Sequence, residues 1–370
     1  MKHVEHDSNE EPQAPLLSVE RLTVTFRKHS LFGGPRVVRA VNDVSLQIAP
    51  GETLGLVGES GSGKSTTGRA ILKLVPIDSG TVRMEGHDIA PIRGRALRRV
   101  RAQMQMVFQD PYSSLDPSST IGASIAEPLR VHRSMSRAAI RERVEELLDL
   151  VGLRASHADR YPYEFSGGQR QRVVIARALA LDPRLIVCDE AVSALDVSTQ
   201  NQVINLLADI REKRSLSYLF IAHDLAVVRH ISHRVAVMYL GHIVESGPTQ
   251  RLYRAPAHPY TQALLSAIPV PDPRKRNQPH RVILKGGIPD PSNPPPGCPF
   301  HTRCPYVMDV CRERMPEMTP LDGGGEVACH LQTSGPMLAG RGLETLAGGD
   351  KPTACESTPA AVGDARALAY

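Results

Sequence analysis

The chain has 370 residues, of which 41% are hydrophobic and 22% charged, with a formal net charge of +5. That length suits about two to three soluble domains of ordinary composition, and no apolar run approaches the roughly 18 to 20 residues that span a bilayer. With no Trp and only 4% aromatic residues, base stacking on nucleic acid is poorly supplied, so the basic clusters at 93–101 and 274–276 read as solvated faces. Residues 1–15 are polar, lack the apolar segment of a secretory signal, and read as disordered. Residues 18–26 read as a strand and 39–48 as its neighbour. A short apolar strand at 52–57 runs straight into a glycine-rich loop, and 66–74 reads as a helix. Residues 104–108 look strand-like. The 134–152 segment carries the strongest helical periodicity, with Gly152 at its end. A further helix is expected over 171–181, and buried strands over 184–188 and 218–222. Alternating strands and helices predict a parallel sheet covered on both faces, with ligands at the carboxyl ends of its strands. Near residue 256 Pro, Gly and Arg become dense, four cysteines follow, and 333–370 reads as a disordered tail. Six cysteines without a signal peptide point to a reducing compartment.

The loop Gly58-Glu59-Ser60-Gly61-Ser62-Gly63-Lys64-Ser65-Thr66 matches G-x-x-x-x-G-K-[ST] between a strand and a helix. Its glycines let backbone N–H groups wrap phosphates. Lys64 would neutralise the β/γ-phosphates and the Ser65 hydroxyl would ligate Mg²⁺. A chance Gly-rich turn is the competing reading, and the flanking elements weigh against it.

Asp189-Glu190 follows the apolar strand Leu185-Ile186-Val187-Cys188. There Asp189 would hold Mg²⁺ and Glu190 would polarise an attacking water as general base. Alone, such a pair is also a helix cap or a solvated loop; the glycine loop upstream favours chemistry. Gln109, at the end of a strand, can reach both metal and water, and His223, after Tyr218–Ala222, can reach a γ-phosphate. Phe165-Ser166-Gly167-Gly168-Gln169 offers a hydroxyl, small residues and the positive end of a following helix to an anion, a second phosphate-binding device.

Taken in order, GESGSGKST, Gln109, FSGGQRQR, LIVCDE, SALD and IAHD resemble the ATP-binding cassette of ABC proteins over residues 17–255. The resemblance implies an α/β fold: a P-loop NTPase core with a RecA-like parallel sheet, an antiparallel β subdomain and a helical subdomain at about 110–176. It divides the chain into a 1–15 N-terminus, a 16–256 cassette, a 257–332 extension and a 333–370 tail. It further implies two cassettes meeting head to tail around two ATP molecules, with the phosphate loop of one facing the FSGGQ of the other. Phe26 stands where the family places an aromatic that stacks on adenine. Phe165 replaces the family's usual Leu, apolar for apolar.

VFQDPYSSLDP, YPYEFSGGQRQRVVIARAL and His258-Pro259-Tyr260-Thr261, followed by the cysteine-bearing segment, resemble the ATPase subunits of oligopeptide and dipeptide importers. CDEAVSALDVS is closest to the F-type member of the D/F pair. This implies an ATPase that powers peptide import from the cytoplasmic face of the membrane. Its partners would be a second ABC ATPase, two membrane permeases and an extracytoplasmic binding protein, with no direct contact to nucleic acid. Nickel and glutathione importers share much of the pattern. A soluble ABC ATPase of DNA repair or translation is the rival, but such proteins usually carry two cassettes or a long coiled coil, and neither is present here.

Cys298, Cys304, Cys311 and Cys329 show no C-x-x-C spacing, so a zinc ribbon is poorly supported. By spacing alone they read as reduced cysteines of a small Pro-rich fold, with His301 and His330 leaving zinc as an alternative. The importer resemblance implies a [4Fe–4S] cluster on these four thiolates.

Overall fold

The computed structural model describes residues 14–30, 33–268, 284 and 286–334. The expectations for the terminal tails fall almost wholly outside these residues, as do Cys355 and the basic cluster at 274–276.

A central sheet of eight strands organises the fold, in the order β11-β12-β10-β9-β3-β8-β7-β6. Its parallel middle is β9 (Arg234–Tyr239), β3 (Thr53–Val57), β8 (Ser217–Ala222), β7 (Leu185–Asp189) and β6 (Met104–Val107). Strands β3, β7 and β8 are buried at every position. Their mostly apolar runs are what a sheet covered on both faces requires, since neither side of the pleat meets water. Parallel pairing aligns the carboxyl ends: Val57 lies opposite Ala222, and Asp189 opposite Ile221.

A second, antiparallel sheet has the order β2-β1-β4-β5 and is built from β1 (Leu17–Ser30), β2 (Gly33–Ile48), β4 (Ser79–Met84) and β5 (His87–Asp88). Leu17, Leu22, Val41 and Ile48 of this sheet share one apolar cluster with Leu54 and Leu56 of β3 and Ala70 and Ile71 of α1 (Lys64–Ile71). On the other face a larger cluster joins the main sheet to the helices between β6 and β7. These are α3 (Ile121–His132), α4 (Arg137–Leu150) and α5 (Gly167–Leu179). Helix α4 starts where Ser136 accepts a hydrogen bond from Ala139 N at 3.2 Å, which satisfies an N–H that has no partner inside the helix. Helix α2 (Gly94–Gln103) has no buried residue and exposes Arg95, Arg98 and Arg99 as a solvated basic face, while Arg101 turns in to donate to the Lys73 carbonyl at 2.7 Å.

The extension is more ordered than its Pro-rich sequence suggests. Strands β11 (Met318–Pro320) and β12 (Glu326–Ala328) add to the main sheet through β10 (His242–Pro248), with Glu245 opposite Val327. Each has three residues, too few to show a period of two. Cys298, Phe300 and Cys311 belong to the main apolar cluster. Phe300 packs edge-on to Tyr239 of β9, with ring centroids 5.3 Å apart, and against Tyr260 of the helix Pro259–Ser266 at 5.4 Å. Aromatic contacts of this kind contribute about 0.5 to 1.5 kcal/mol each beyond the area they bury.

Candidate functional site

Strand β3 ends at Val57 and the glycine loop follows at once. A Cβ on Gly58 would fall 2.1 Å from the Met238 carbonyl oxygen, and one on Gly63, at φ +108°, would fall 2.1 Å from that of Ala40. Only glycine lets the loop lie this close to β9 and β2. Ser60 and Gly61 form an exposed tip, whereas Ser62 is buried and Thr66 half-buried. Lys64, the first residue of α1, folds back over the loop. Its Nζ donates to the carbonyl oxygens of Gly58 and Glu59 at 2.8 and 2.9 Å. Burial lowers the Lys64 pKa, while Glu190, Asp189 and Glu59 pull it back up. A buried ammonium facing three carboxylates is a cation held ready for a polyanion.

Ser65 Oγ donates to Asp189 Oδ1 at 2.6 Å, so the hydroxyl after the lysine and the carboxylate ending β7 share one point. Desolvation raises the Asp189 pKa; Ser65 and the Arg69 guanidinium, 3.6 Å away, oppose it. A half-compensated carboxylate beside a hydroxyl is oxygen-rich, the donor chemistry that hard divalent cations take. Magnesium therefore fits these residues.

The next residue, Glu190, has a left-handed backbone at φ +49°. That conformation is uncommon for a side chain of this size, and it is held by a bond from Glu190 N to Ile221 O at 2.9 Å. Gln109 Nε2 donates to Glu190 Oε2 at 2.9 Å. His223 Nδ1 lies 3.5 Å from the same oxygen. Residues following three different strands, β6, β7 and β8, thus converge on one carboxylate beside the loop.

Ser166 and Gln169 close a reciprocal cap at the start of α5. Ser166 Oγ accepts from Gln169 N at 3.3 Å, and Gln169 Oε1 accepts from Ser166 N at 3.0 Å. Buried Phe165 anchors the segment, with His157 edge-on at 5.4 Å. A Cβ on Gly168 would fall 2.2 Å from Thr199 Cγ2 at the start of α6 (Val197–Arg214). Ser166 is exposed, and among the described residues no hydrogen bond joins Ser166, Gly167, Gly168 or Gln169 to the 58–66 loop. Phe26 is also exposed, on β1 opposite Val38, and is not drawn into the Lys64–Glu190 group.

All four cysteines of the extension are free thiols, as is Cys188. Burial pushes Cys298 up to about 11 and Cys304 to about 12. Cys329 is raised as well, by burial first and then by Cys304, Cys298 and Cys311. Among the described residues, no group of three or more His, Cys, Asp or Glu stands close enough to hold a metal ion. The [4Fe–4S] cluster expected on Cys298, Cys304, Cys311 and Cys329, and the zinc alternative, thus find no preformed metal site among the described residues.

Sequence reasoning missed three participants. Arg69 reaches Asp189 from the next turn of α1. Arg303 and Tyr260 both bond Glu59 inside the glycine loop. Tyr260 lies in the His258–Thr261 motif, a signal for the branch but not for this contact; Arg303 carried no signal of its own.

Comparison with known proteins supports the same grouping. Residues 41–193 match the ABC transporter family, and residues 244–311 match the oligopeptide/dipeptide transporter C-terminal region. The chain is 54% identical to a probable peptide ABC transporter ATP-binding protein of Sinorhizobium fredii, covering 80% of this chain and 83% of the relative. It is 53% identical to the oligopeptide transport ATP-binding protein AppF of Bacillus subtilis, covering 80% and 90%. It is 51% identical to the oligopeptide transport ATP-binding protein OppF of Escherichia coli, covering 81% and 92%. A dimeric ATP-binding cassette solved in a post-hydrolysis state with ADP and Pi overlays 63% of this chain and 98% of its own, at 29% identity and a TM-score of 0.56. The expected P-loop NTPase core, with a parallel sheet and a separate antiparallel one, is the fold observed. By fold, motif order and sequence, the chain belongs to the ATP-binding-protein family of ABC transporters, in its oligopeptide and dipeptide branch.

Proposed function

We propose that this protein is the ATP-hydrolysing subunit of a peptide importer, working at the cytoplasmic face of the membrane. The observation that carries the reading is the convergence of Gln109 and His223 on the Glu190 carboxylate, next to Lys64, Ser65 and Asp189. No helix among the described residues is long and apolar enough to cross a membrane, so membrane permeases would supply the path for the peptide. The extension matched by the peptide-transporter model favours peptide over nickel or glutathione.

In this reading the loop N–H groups of residues 58–66 cradle the triphosphate, and Phe26 stacks on the adenine. Lys64 exchanges its two loop carbonyls for the β/γ-phosphates. Ser65, Asp189 and Gln109 would hold Mg²⁺, which supplies charge neutralisation on the transferring phosphate. Glu190 takes the proton of the attacking water as general base. Gln109 orients that carboxylate, and His223 bonds the γ-phosphate. Residues 110–128, which lead from the core sheet into α3, carry the resulting motion to the permeases.

Ser166 is exposed because the segment Ser166-Gly167-Gly168-Gln169 completes a nucleotide held by another subunit. The active unit is then a head-to-tail heterodimer with a second ABC ATPase, joined by two permeases and an extracytoplasmic binding protein. Ser166→Ala tests this in the assembled heterodimer. It is expected to slow hydrolysis at the partner's nucleotide by about 10²-fold, the usual scale for one donor to a developing anion. Site-resolved product trapping reads the result; a loss confined to this chain's own nucleotide overturns the arrangement.

The four extension thiols remain candidates for a [4Fe–4S] cluster on narrower grounds. The thiols of Cys298, Cys304 and Cys329 are each raised in part by charges of other cysteines of the set, which supports their standing near one another. A single zinc ion draws each thiolate to about 2.3 Å, whereas a four-iron cluster takes one thiolate per iron and tolerates wider spacing. Anaerobically purified full-chain protein is expected to carry iron and sulfide and to absorb broadly near 400 nm (about that value). Colourless, iron-free protein removes the proposal.

A further inference from the structure

The glycine loop contains a carboxylate, Glu59, where a triphosphate is to be bound. Lys64 donates to the Glu59 carbonyl oxygen at 2.9 Å, so the residue lies inside the phosphate cradle and not beside it. A free carboxylate there would repel the nucleotide. The extension reaches over the loop to deal with it. Arg303 Nη1 donates to Glu59 Oε2 at 2.7 Å and Nη2 to Oε1 at 3.1 Å, a two-point ion pair. The Arg303 side chain is only 8% exposed and that of Glu59 26%, so water screens the pair weakly. The guanidinium stands 5.9 Å from the Tyr239 ring, at the edge of the Tyr239–Tyr260–Phe300 cluster. From the same cluster Tyr260 Oη accepts the Glu59 backbone N–H at 2.8 Å.

We propose that Arg303 and Tyr260 are positioning residues for the nucleotide site. Tyr260 fixes the loop backbone at Glu59, and Arg303 draws the Glu59 carboxylate toward the extension and cancels its charge. The extension is then part of the ATP-binding apparatus, acting through the loop without touching nucleotide. Lysine could not replace Arg303 fully, because a point charge cannot make both parallel bonds. This inference rests on the reading of the loop as the ATP site.

Binding of a fluorescent ATP analogue with Mg²⁺ to the full chain provides the test, with unfolding temperatures measured alongside. Arg303→Met is expected to raise the Kd about tenfold, the effect of one uncompensated charge at this range, and Arg303→Lys by less. Tyr260→Phe is expected to raise it about fivefold, the scale of one hydrogen bond. The decisive variant is Glu59→Gln/Arg303→Met, which should bind within about twofold of wild type, because no charge is left to cancel. If the double variant binds as weakly as Arg303→Met, Arg303 acts only as packing and the inference fails. Should Arg303→Met not fold, Glu59→Gln alone decides. It is expected to tighten binding, since the Arg303 charge is then free to attract phosphate; weaker binding overturns the proposal. Lys64→Ala separates the two levels: if it binds as well as wild type, the ATP reading of the loop fails, whatever Arg303 does.

Discussion

Lys64→Ala is expected to remove ATP binding and to lower hydrolysis by at least about 10²-fold, the scale for loss of one preorganised charged donor in a water-poor site. The expectation follows from what surrounds the ammonium. Glu190, Asp189 and Glu59 all act on Lys64 electrostatically, and burial has already made its charge costly to hold. Alanine would remove the cation that acts on all three of those carboxylates beside the triphosphate. It would also release the carbonyls of Gly58 and Glu59, which Nζ now ties together. Phosphate release and equilibrium nucleotide binding read the two effects separately. Turnover close to wild type would sink the assignment of the loop.

Glu190→Gln has a different expected profile. The amide keeps the size of the side chain and still offers an oxygen to Gln109 Nε2, which now donates at 2.9 Å. It cannot accept the proton of the attacking water. Hydrolysis should fall by about 10²- to 10⁴-fold, the span attributed to a positioned general base, while ATP binding persists. The heterodimer should then stay closed on ATP and elute as the larger species in size exclusion. A variant that cycles at the wild-type rate would refute the role given to Glu190.

Much of this site was legible in the sequence for a physical reason. In a doubly covered parallel sheet the strands are short apolar runs, and ligands gather where each run stops. Val57, Val107, Asp189 and Ala222 end such runs. The residues picked out after them, Lys64, Ser65, Gln109, Glu190 and His223, meet in space. The left-handed backbone at Glu190 was not legible, because its cause is a bond to Ile221 on the neighbouring strand. Nor were the contacts of the extension. Tyr260 and Arg303 bond Glu59 across 201 and 244 positions, with no local pattern to announce them. Strands β11 and β12 escaped notice at three residues each. The role of the four cysteines was not legible, because spacing along a chain does not fix distance in space, and the described residues hold no preformed metal site.

The FSGGQ segment had two readings from sequence, a second phosphate site of this chain or half of a partner's. Its exposed Ser166, with the side chains of Ser166 and Gln169 each accepting the other's backbone N–H across the start of α5, supports the second. On the proposed head-to-tail arrangement the chain should hydrolyse ATP poorly when alone, since its Lys64 and Glu190 would await a signature from across the interface.

Uptake of labelled oligopeptide by vesicles carrying the complete transporter tests the central claim most directly. ATP-dependent uptake is expected with the wild-type chain and none above background with Glu190→Gln. Undiminished uptake with that variant, or brisk ATP hydrolysis by the isolated chain with no uptake by the assembled transporter, would contradict it.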